Sequence, residues 1–333
     1  MDPVDPVAFA RQLIDIDSTT GREGEVAGVI ASFLRDRGYS VLEQPLADGR
    51  CNVIAAAGDP AIVFSTHFDC VPPFFPSRIE GGLLYGRGAC DAKGILAVQV
   101  SAAERLRGQG NDRVGLVFVV GEERGSDGAL AANKFASPSK FLINGEPTDN
   151  RLGAATRGVY RVRLAAAGRA AHSGYPELGE SAIDKLMDVL LDLRSAVWPS
   201  DDVLGTTHYT VGLISGGVAP NVVPPAAEAE IIFRSVGDHA ALRAVLREAV
   251  AERLDIHEVL EVPPVRLHTV EGLPTAVFSY TTDVPFLGRW GTPLLIGPGS
   301  IHVAHTDREH VEIAALDEGV ERYVALAHRL LAS

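Results

Sequence analysis

Four polar clusters stand directly after apolar runs in the first half of this chain, and that recurrence constrains its fold more than any other feature of the sequence. The run 61–66 leads into His67-Phe68-Asp69, 114–120 into Gly121-Glu122-Glu123, and 141–144 into Gly145-Glu146-Pro147. The fourth cluster, Gly86-Arg-Gly-Ala-Cys-Asp91-Ala-Lys-Gly94, opens a segment of helical periodicity. In a parallel sheet the C-terminal ends of the strands face one edge, so side chains far apart in sequence can meet there.

The surrounding pattern supports such a sheet. Val26, Val29, Ile30, Phe33 and Leu34 share one helical face between a Thr20-Gly-Arg-Glu23 capping box and Gly38. Short β-rich runs at 39–42, 52–56 and 61–65 precede a helical pattern at 93–106, a run at 114–120, a helical pattern at 126–135 and a run at 141–143. Alternation of this kind predicts an α/β fold with buried, mostly parallel strands and helices on both faces. From Thr156 the texture changes to half-exposed strands at 159–165, 208–214 and 228–233, with helices at 182–193 and 240–254. This βαββα-like stretch of roughly 110 residues is large enough to be a domain. The α/β pattern resumes near Val270 and ends in a helix at 316–331. The expected organisation is a catalytic domain of residues 1–155 and 269–333 with an inserted α+β domain of residues 156–268.

A chain of 333 residues with a formal charge of −13 and no Lys/Arg-rich stripe is a poor partner for phosphate backbones and anionic lipids, which excludes nucleic-acid binding. The start, Met1-Asp2-Pro3-Val4-Asp5-Pro6, lacks the basic and apolar segments of a secretory signal, and no apolar stretch is long enough to span a bilayer. A cytoplasmic location is expected. Cys51, Cys70 and Cys90 form no disulfide framework and are read as reduced thiols, Cys70 and Cys90 as small packing residues.

An imidazole together with several carboxylates suits a divalent ion such as zinc, and without positive charge the carboxylates would repel one another strongly. Strand alternation puts His67 and Asp69 on one side, where Asp69 can accept the second ring N–H of His67 and fix its tautomer. Adjacent side chains diverge, so Glu122 and Glu123 divide into one ligand and one general base, in an order the spacing leaves open. Taken singly, each cluster is weak evidence: a lone histidine at a strand end is more often a hydrogen-bonded structural residue, and paired glutamates are more often solvated. A phosphate loop over 86–94 is disfavoured, because the Gly-x4-Gly-Lys-Ser/Thr spacing is missing and Asp91 would repel an anion. His302 and His310 are read as surface or packing residues.

The clusters resemble the M20 metallopeptidase family, which includes acetylornithine deacetylase, succinyl-diaminopimelate desuccinylase, aminoacylase and carboxypeptidases. The resemblance rests on Thr66-His-Phe-Asp69, Tyr85-Gly-Arg-Gly-Ala-Cys-Asp91-Ala-Lys-Gly94, Gly121-Glu-Glu-Arg-Gly-Ser126, Gly145-Glu-Pro147, Ala171-His-Ser-Gly174, and Gly297-Pro-Gly299 with Ala304-His-Thr306. It implies that Asp91 bridges two divalent ions, zinc first with cobalt or manganese as alternatives. His67 and Glu146 would complete one site, and Glu123 and His305 the other. Glu122 becomes the general base, Asp69 orients His67, and the Asp91-Ala92 peptide is cis. The insertion becomes a homodimerisation domain whose His172 reaches the partner's site to stabilise the oxyanion, while Asn221 and Arg234 contact the substrate and its carboxylate. The segment between Asp69 and Tyr85 departs from the family in being short and lacking a tryptophan.

The expected chemistry is hydrolysis of an amide in a small carboxylate-bearing substrate by metal-activated water, first of all deacylation of an N-acyl amino acid as in acetylornithine deacetylase. A dipeptidase, carboxypeptidase or desuccinylase is the alternative enzyme. A non-catalytic binding relative is disfavoured because all seven ligand, base and orienting residues are present.

Overall fold

The structure, a computed structural model, describes residues 2–135 and 139–332. It divides into two compact units: Met1–Ala154, Leu267–Ala276 and Thr282–Ser333 form the first, and Ala155–Arg266 with Val277–Thr281 the second. Among the described residues no helix is long and apolar enough to cross a membrane.

The first unit is built on a six-stranded sheet in the order Ser40–Pro45, Cys51–Ala56, Val114–Val119, Ile62–His67, Phe141–Asn144, Thr292–Leu295. The last four strands are parallel, while the first two pairings are antiparallel. The sheet is therefore mixed, its four parallel strands matching the mostly parallel sheet expected and an antiparallel hairpin standing at one edge. Alternate residues of its central strands serve two cores. Phe64, Leu116 and Phe118 face the helices Pro6–Ile14, Gly24–Asp36, Lys93–Gly108 and Ile313–Ala332. Val63, Val117 and Val119 face the short helix Asp127–Ala132 and the Leu287–Trp290 corner. Burial on both faces explains why these strands read as continuous apolar runs.

Several local readings need correction. The capping box at Thr20–Glu23 does not form: helix Gly24–Asp36 has no side-chain cap, and the Thr20 hydroxyl instead donates to Asp69 Oδ2 at 2.9 Å. The buried carboxylate draws away the hydroxyl that would have accepted from the helix's first amides. Helix Pro6–Ile14 was not evident from periodicity, yet it carries its own start signal: Asp5 Oδ1 accepts from Val7 N at 2.9 Å and Ala8 N at 3.2 Å, with Pro6 in the first turn.

The second unit is a four-stranded antiparallel sheet in the order His208–Gly216, Ala226–Ser235, Gly158–Ala167, Asp255–Val262. Tyr160, Val162, Leu164, Ile231 and Phe233 on one face pack against Leu186, Val189 and Leu193 of helix Ala182–Ser195 and Leu242 and Leu246 of helix His239–Val250. The opposite face carries Arg161 and Arg163, paired with Glu230 and Glu228 at 3.3 and 3.1 Å. The helix expected over 240–254 ends at Val250, because Ala251 takes a left-handed φ of 49° and turns the chain into the unforeseen strand Asp255–Val262.

The capped first helix provides a stability test. Asp5→Ala should cost about 1 kcal/mol by leaving amide donors unpaired, whereas Leu13→Ala, which empties a fully buried site, should cost about 2–5 kcal/mol. Denaturant unfolding of both variants measures the difference, and equal losses would contradict this packing.

Candidate metal centre

The parallel strands bring their ends level, since Ser65 pairs with Asn144 and His67 with Val119. Glu146 therefore follows its strand by two residues on one side of His67, and the Glu122-Glu123 turn follows its own on the other. That turn depends on Gly121, whose φ is 76° and where a Cβ would lie 1.9 Å from Asp127 Oδ1. Asp91 enters at the N-terminal end of the buried helix Lys93–Gly108, where a carboxylate is favoured.

Two groups of potential ligands result: His67, Asp91 and Glu146, and Asp91, Glu123 and His305, each with ligand atoms within 4.8 Å of one another. Asp91 belongs to both. Its Oδ1 lies 3.0 Å from His67 Nε2, and its Oδ2 lies 3.2 Å from His305 Nε2, which is also 2.9 Å from Glu123 Oε1. The five residues named from sequence as ligands are thus brought together. His305 holds a φ of 63°, a conformation that costs a non-glycine residue about 1–3 kcal/mol and persists where surroundings over-determine it. His302 and His310 belong to neither group. The Asp91-Ala92 peptide is cis.

Asp69 ties the cluster together. It is fully buried and accepts from Thr20 Oγ1 at 2.9 Å and from the backbone N–H groups of Glu122 at 3.1 Å and Glu123 at 3.2 Å. His67 Nδ1 is 3.1 Å from the Asp69 carbonyl oxygen and 3.4 Å from its Oδ1, so the nearer acceptor is the backbone rather than the side chain expected from sequence. Either contact leaves Nε2 directed at Asp91.

The electrostatics describe a site short of positive charge. Burial opposes a charge on His67, but Asp69 and Asp91 outweigh it and hold that imidazole well above its usual pKa. Hydrogen bonds to Asp91 and Glu123 push His305 up to about 10. Burial drives Glu146 and Glu122 well above the usual carboxylate range, and neighbouring acids add to the shift. Glu146 Oε1 is buried with no hydrogen-bond partner, an arrangement that ordinarily marks a missing ligand. Oxygen and imidazole donors, an orphaned carboxylate oxygen and two imidazoles holding protons fit divalent cations, which would replace the protons as the source of positive charge. The cysteines fit a packing role instead: burial pushes Cys70 up to about 12, and Cys90 well above its ordinary value.

Three supporting residues were not legible as site residues. Glu309 is fully buried and accepts from the backbone N–H of Gly88, Cys90 and Asp91 at 2.9, 3.2 and 3.1 Å, while its other oxygen accepts from buried Arg87 Nη1 at 2.6 Å. It thereby fastens the loop that carries Asp91 to the segment that carries His305. Asp283, buried with both oxygens unbonded, is pushed up to about 7 by that burial and adds to the shifts of Glu122 and Glu146. Thr20 is the third. None follows an apolar run; the only available hint was Glu309 standing four residues after His305.

His172, Asn221 and Arg234 lie in the second unit. His172 is exposed and its Nδ1 accepts from Gly174 N at 3.1 Å, which leaves the ring proton on Nε2. Asn221, distant in sequence but also exposed, is linked to it by its backbone carbonyl, which accepts from Ser173 N at 3.0 Å. Arg234 is half-buried with no hydrogen bond or ion pair among the described residues.

Comparison with known proteins agrees with this geometry. The profile of peptidase family M20/M25/M40 matches residues 63–329. A protein from Aspergillus fumigatus named "Probable carboxypeptidase" is 36% identical over 380 residues, covering 98% of this chain and 86% of that protein. A tripeptidase structure from Staphylococcus aureus has a TM-score of 0.83 at 19% identity, covering 99% of this chain and 98% of that one. A Bacillus subtilis structure described as a dinuclear metal-binding peptidase from the M20 family has a TM-score of 0.72 at 16% identity, covering 98% and 97%. At these identities the two structures speak for the fold.

The Glu309 brace can be tested directly. Glu309→Ala would leave Arg87 buried without its partner and three amides unbonded, and should cost about 3–5 kcal/mol in denaturant unfolding; a loss below about 1 kcal/mol, the size of an exposed pair, would contradict the assignment.

Proposed function

Because this chain belongs to peptidase family M20/M25/M40 and is thereby a hydrolase of peptide bonds, we propose that it is a two-metal exopeptidase that removes the C-terminal amino acid from a small peptide. The observation that carries this reading is the division of Asp91 between two ligand groups, one oxygen toward each imidazole. In it His67, Asp91 and Glu146 would hold one cation and Asp91, Glu123 and His305 the other. Divalent ions held there, zinc by the donor set with cobalt or manganese as alternatives, would polarise the scissile carbonyl and acidify the attacking water.

Glu122 stands outside both groups while Asp69 fixes its backbone. Its carboxylate takes the proton of the attacking water and returns it to the leaving nitrogen, general acid–base work that needs no covalent intermediate. His172, with its proton on the outward Nε2, donates to the carbonyl oxygen as charge develops, an effect worth on the order of 3 kcal/mol for a preorganised donor. Arg234, without a partner among the described residues of a chain of net charge −13, receives the substrate carboxylate, with Asn221 contributing a further polar contact.

His172 acts in this scheme across a homodimer. The edge strand His208–Gly216 exposes Val211, Leu213 and Ile214, and Met187 and Leu191 of helix Ala182–Ser195 are also exposed. A long apolar edge invites strand pairing, and a two-fold partner presenting the same surface would cover it.

The deacetylase-like activity first expected from sequence would use the same groups, since an N-acyl amino acid also presents an amide and a carboxylate. The 36% identity to the carboxypeptidase-named relative favours the peptide. Assay of the metal-loaded protein against N-blocked dipeptides, their C-terminal amides and N-acetyl amino acids separates the readings. Free-acid dipeptides should be cleaved and their amides should not; turnover of N-acetyl amino acids alone would transfer the assignment to deacylation. Within that assay Glu122→Gln should lower kcat at least about a hundredfold with metal content retained, because an amide cannot carry the proton. Glu123→Gln should instead lower metal content. Mixing Glu122→Gln and His172→Ala chains should form heterodimers with one intact site and activity above either parent; no gain in verified heterodimers would place the oxyanion donor within one chain.

A further inference from the structure

Arg157 takes no part in the hydrolysis described above, yet it stands at the same end of the second unit's sheet as Arg234. Strand Gly158–Ala167 begins there, with Gly158 opposite Ser235, and strand His208–Gly216 begins there, with His208 directly opposite Arg234. Directly opposed residues share one face with Cβ atoms about 4.5–5.5 Å apart. This is the face without helices, because Phe233 and Tyr160 point the other way into the core.

Two features set this corner apart. The other arginines of that face, Arg161 and Arg163, are neutralised by Glu230 and Glu228, but Arg234 has no partner among the described residues and Arg157 no carboxylate. Arg157 Nη1 donates to the Thr206 carbonyl at 2.6 Å and to His208 Nδ1 at 2.9 Å, while its Nε is buried without a partner. The guanidinium is held over Gly205, where a Cβ would sit 3.2 Å from Nη2. Asp201, opposite Gly205 in its hairpin, is already paired with Arg266, and Glu261, opposite Tyr160, with His239 and Arg243.

Donation from Arg157 makes His208 Nδ1 an acceptor, so the ring's proton sits on the exposed Nε2. Burial and the charges of Arg157 and Arg234 hold His208 below its ordinary pKa. The corner thus offers two cations, one of them held in place at Arg157, and an exposed N–H donor, with no acid paired to them among the described residues.

We propose that Arg157 and His208 form, beside Arg234, the receptor for a second carboxylate, so that the preferred substrate ends in a dicarboxylic residue, glutamate or aspartate. This rests on Arg234 receiving the α-carboxylate in the proposed exopeptidase. Two guanidinia flanking one imidazole match two carboxylates on one residue, Arg234 open to a fork-shaped contact and Arg157 offering Nη2 together with His208 Nε2 as single donors. A single carboxylate would leave one of the cations unbalanced.

Calorimetric binding of glutarate and butyrate to the metal-loaded protein tests the receptor without turnover. Glutarate should bind at least about tenfold more tightly, Arg157→Gln should bring the ratio near one, and Arg157→Lys should restore part of it. In parallel, N-blocked dipeptides ending in glutamate and in its neutral isostere glutamine are compared, with the glutamate peptide expected to have the higher kcat/KM, chiefly through KM. If glutarate is preferred while no free-acid peptide is cleaved, the receptor stands and the exopeptidase assignment falls. If peptides are cleaved but glutarate and butyrate bind alike, the receptor is overturned.

Discussion

A shortage of positive charge at one edge of a sheet organises this molecule. Asp91, Glu122, Glu123, Glu146 and Asp283 crowd around two imidazoles, and burial alone would drive several of those acids to protonate. The conflict is eased by His67 and His305 taking protons, one beside each oxygen of Asp91. Cations resolve it more completely, because they can occupy both positions at once without requiring either imidazole to stay charged.

The scaffold around that edge holds the groups in opposition. Asp69 binds the Glu122-Glu123 backbone and sits against His67, while Glu309 binds the backbone around Asp91 and pairs with Arg87. Neither acid belongs to the ligand groups, yet each fixes the segment on which a ligand sits. Orientation of this kind is what makes a cluster of repelling acids persist as a preorganised site. The second unit carries an exposed imidazole at His172 and, at half-buried Arg234, a guanidinium with no partner among the described residues, the groups that the proposed function assigns to the substrate.

His67, Asp91, Glu123 and Glu146 were legible because each ends or follows a strand or opens a helix, and strand direction brings such residues to one edge, whereas His305, in the turn before His310–Glu312, was legible only through the family resemblance. Asp69 was legible as a neighbour of His67, but not as the acceptor for Thr20, whose spacing to Glu23 mimics a helix cap. Glu309 and Asp283 were not legible, because the importance of Glu309 comes from contacts across more than two hundred residues of sequence and that of Asp283 from burial near distant acids, neither of which local pattern records. The same limit explains the strands. Central strands announced themselves as apolar runs, whereas the antiparallel sense of Ser40–Pro45 and Cys51–Ala56 and the strand after Ala251 depended on partners chosen by the tertiary fold.

The central claim is that one carboxylate serves two cations. Metal stoichiometry of the folded wild type, Asp91→Asn, Glu146→Gln and His305→Asn proteins, measured by elemental analysis after reloading with zinc and desalting, tests it most directly. The account predicts two ions per chain in the wild type, loss of one in Glu146→Gln and in His305→Asn, and loss of both in Asp91→Asn. A wild type that holds one ion, or an Asp91→Asn protein that holds as many as the single-site variants, would contradict it.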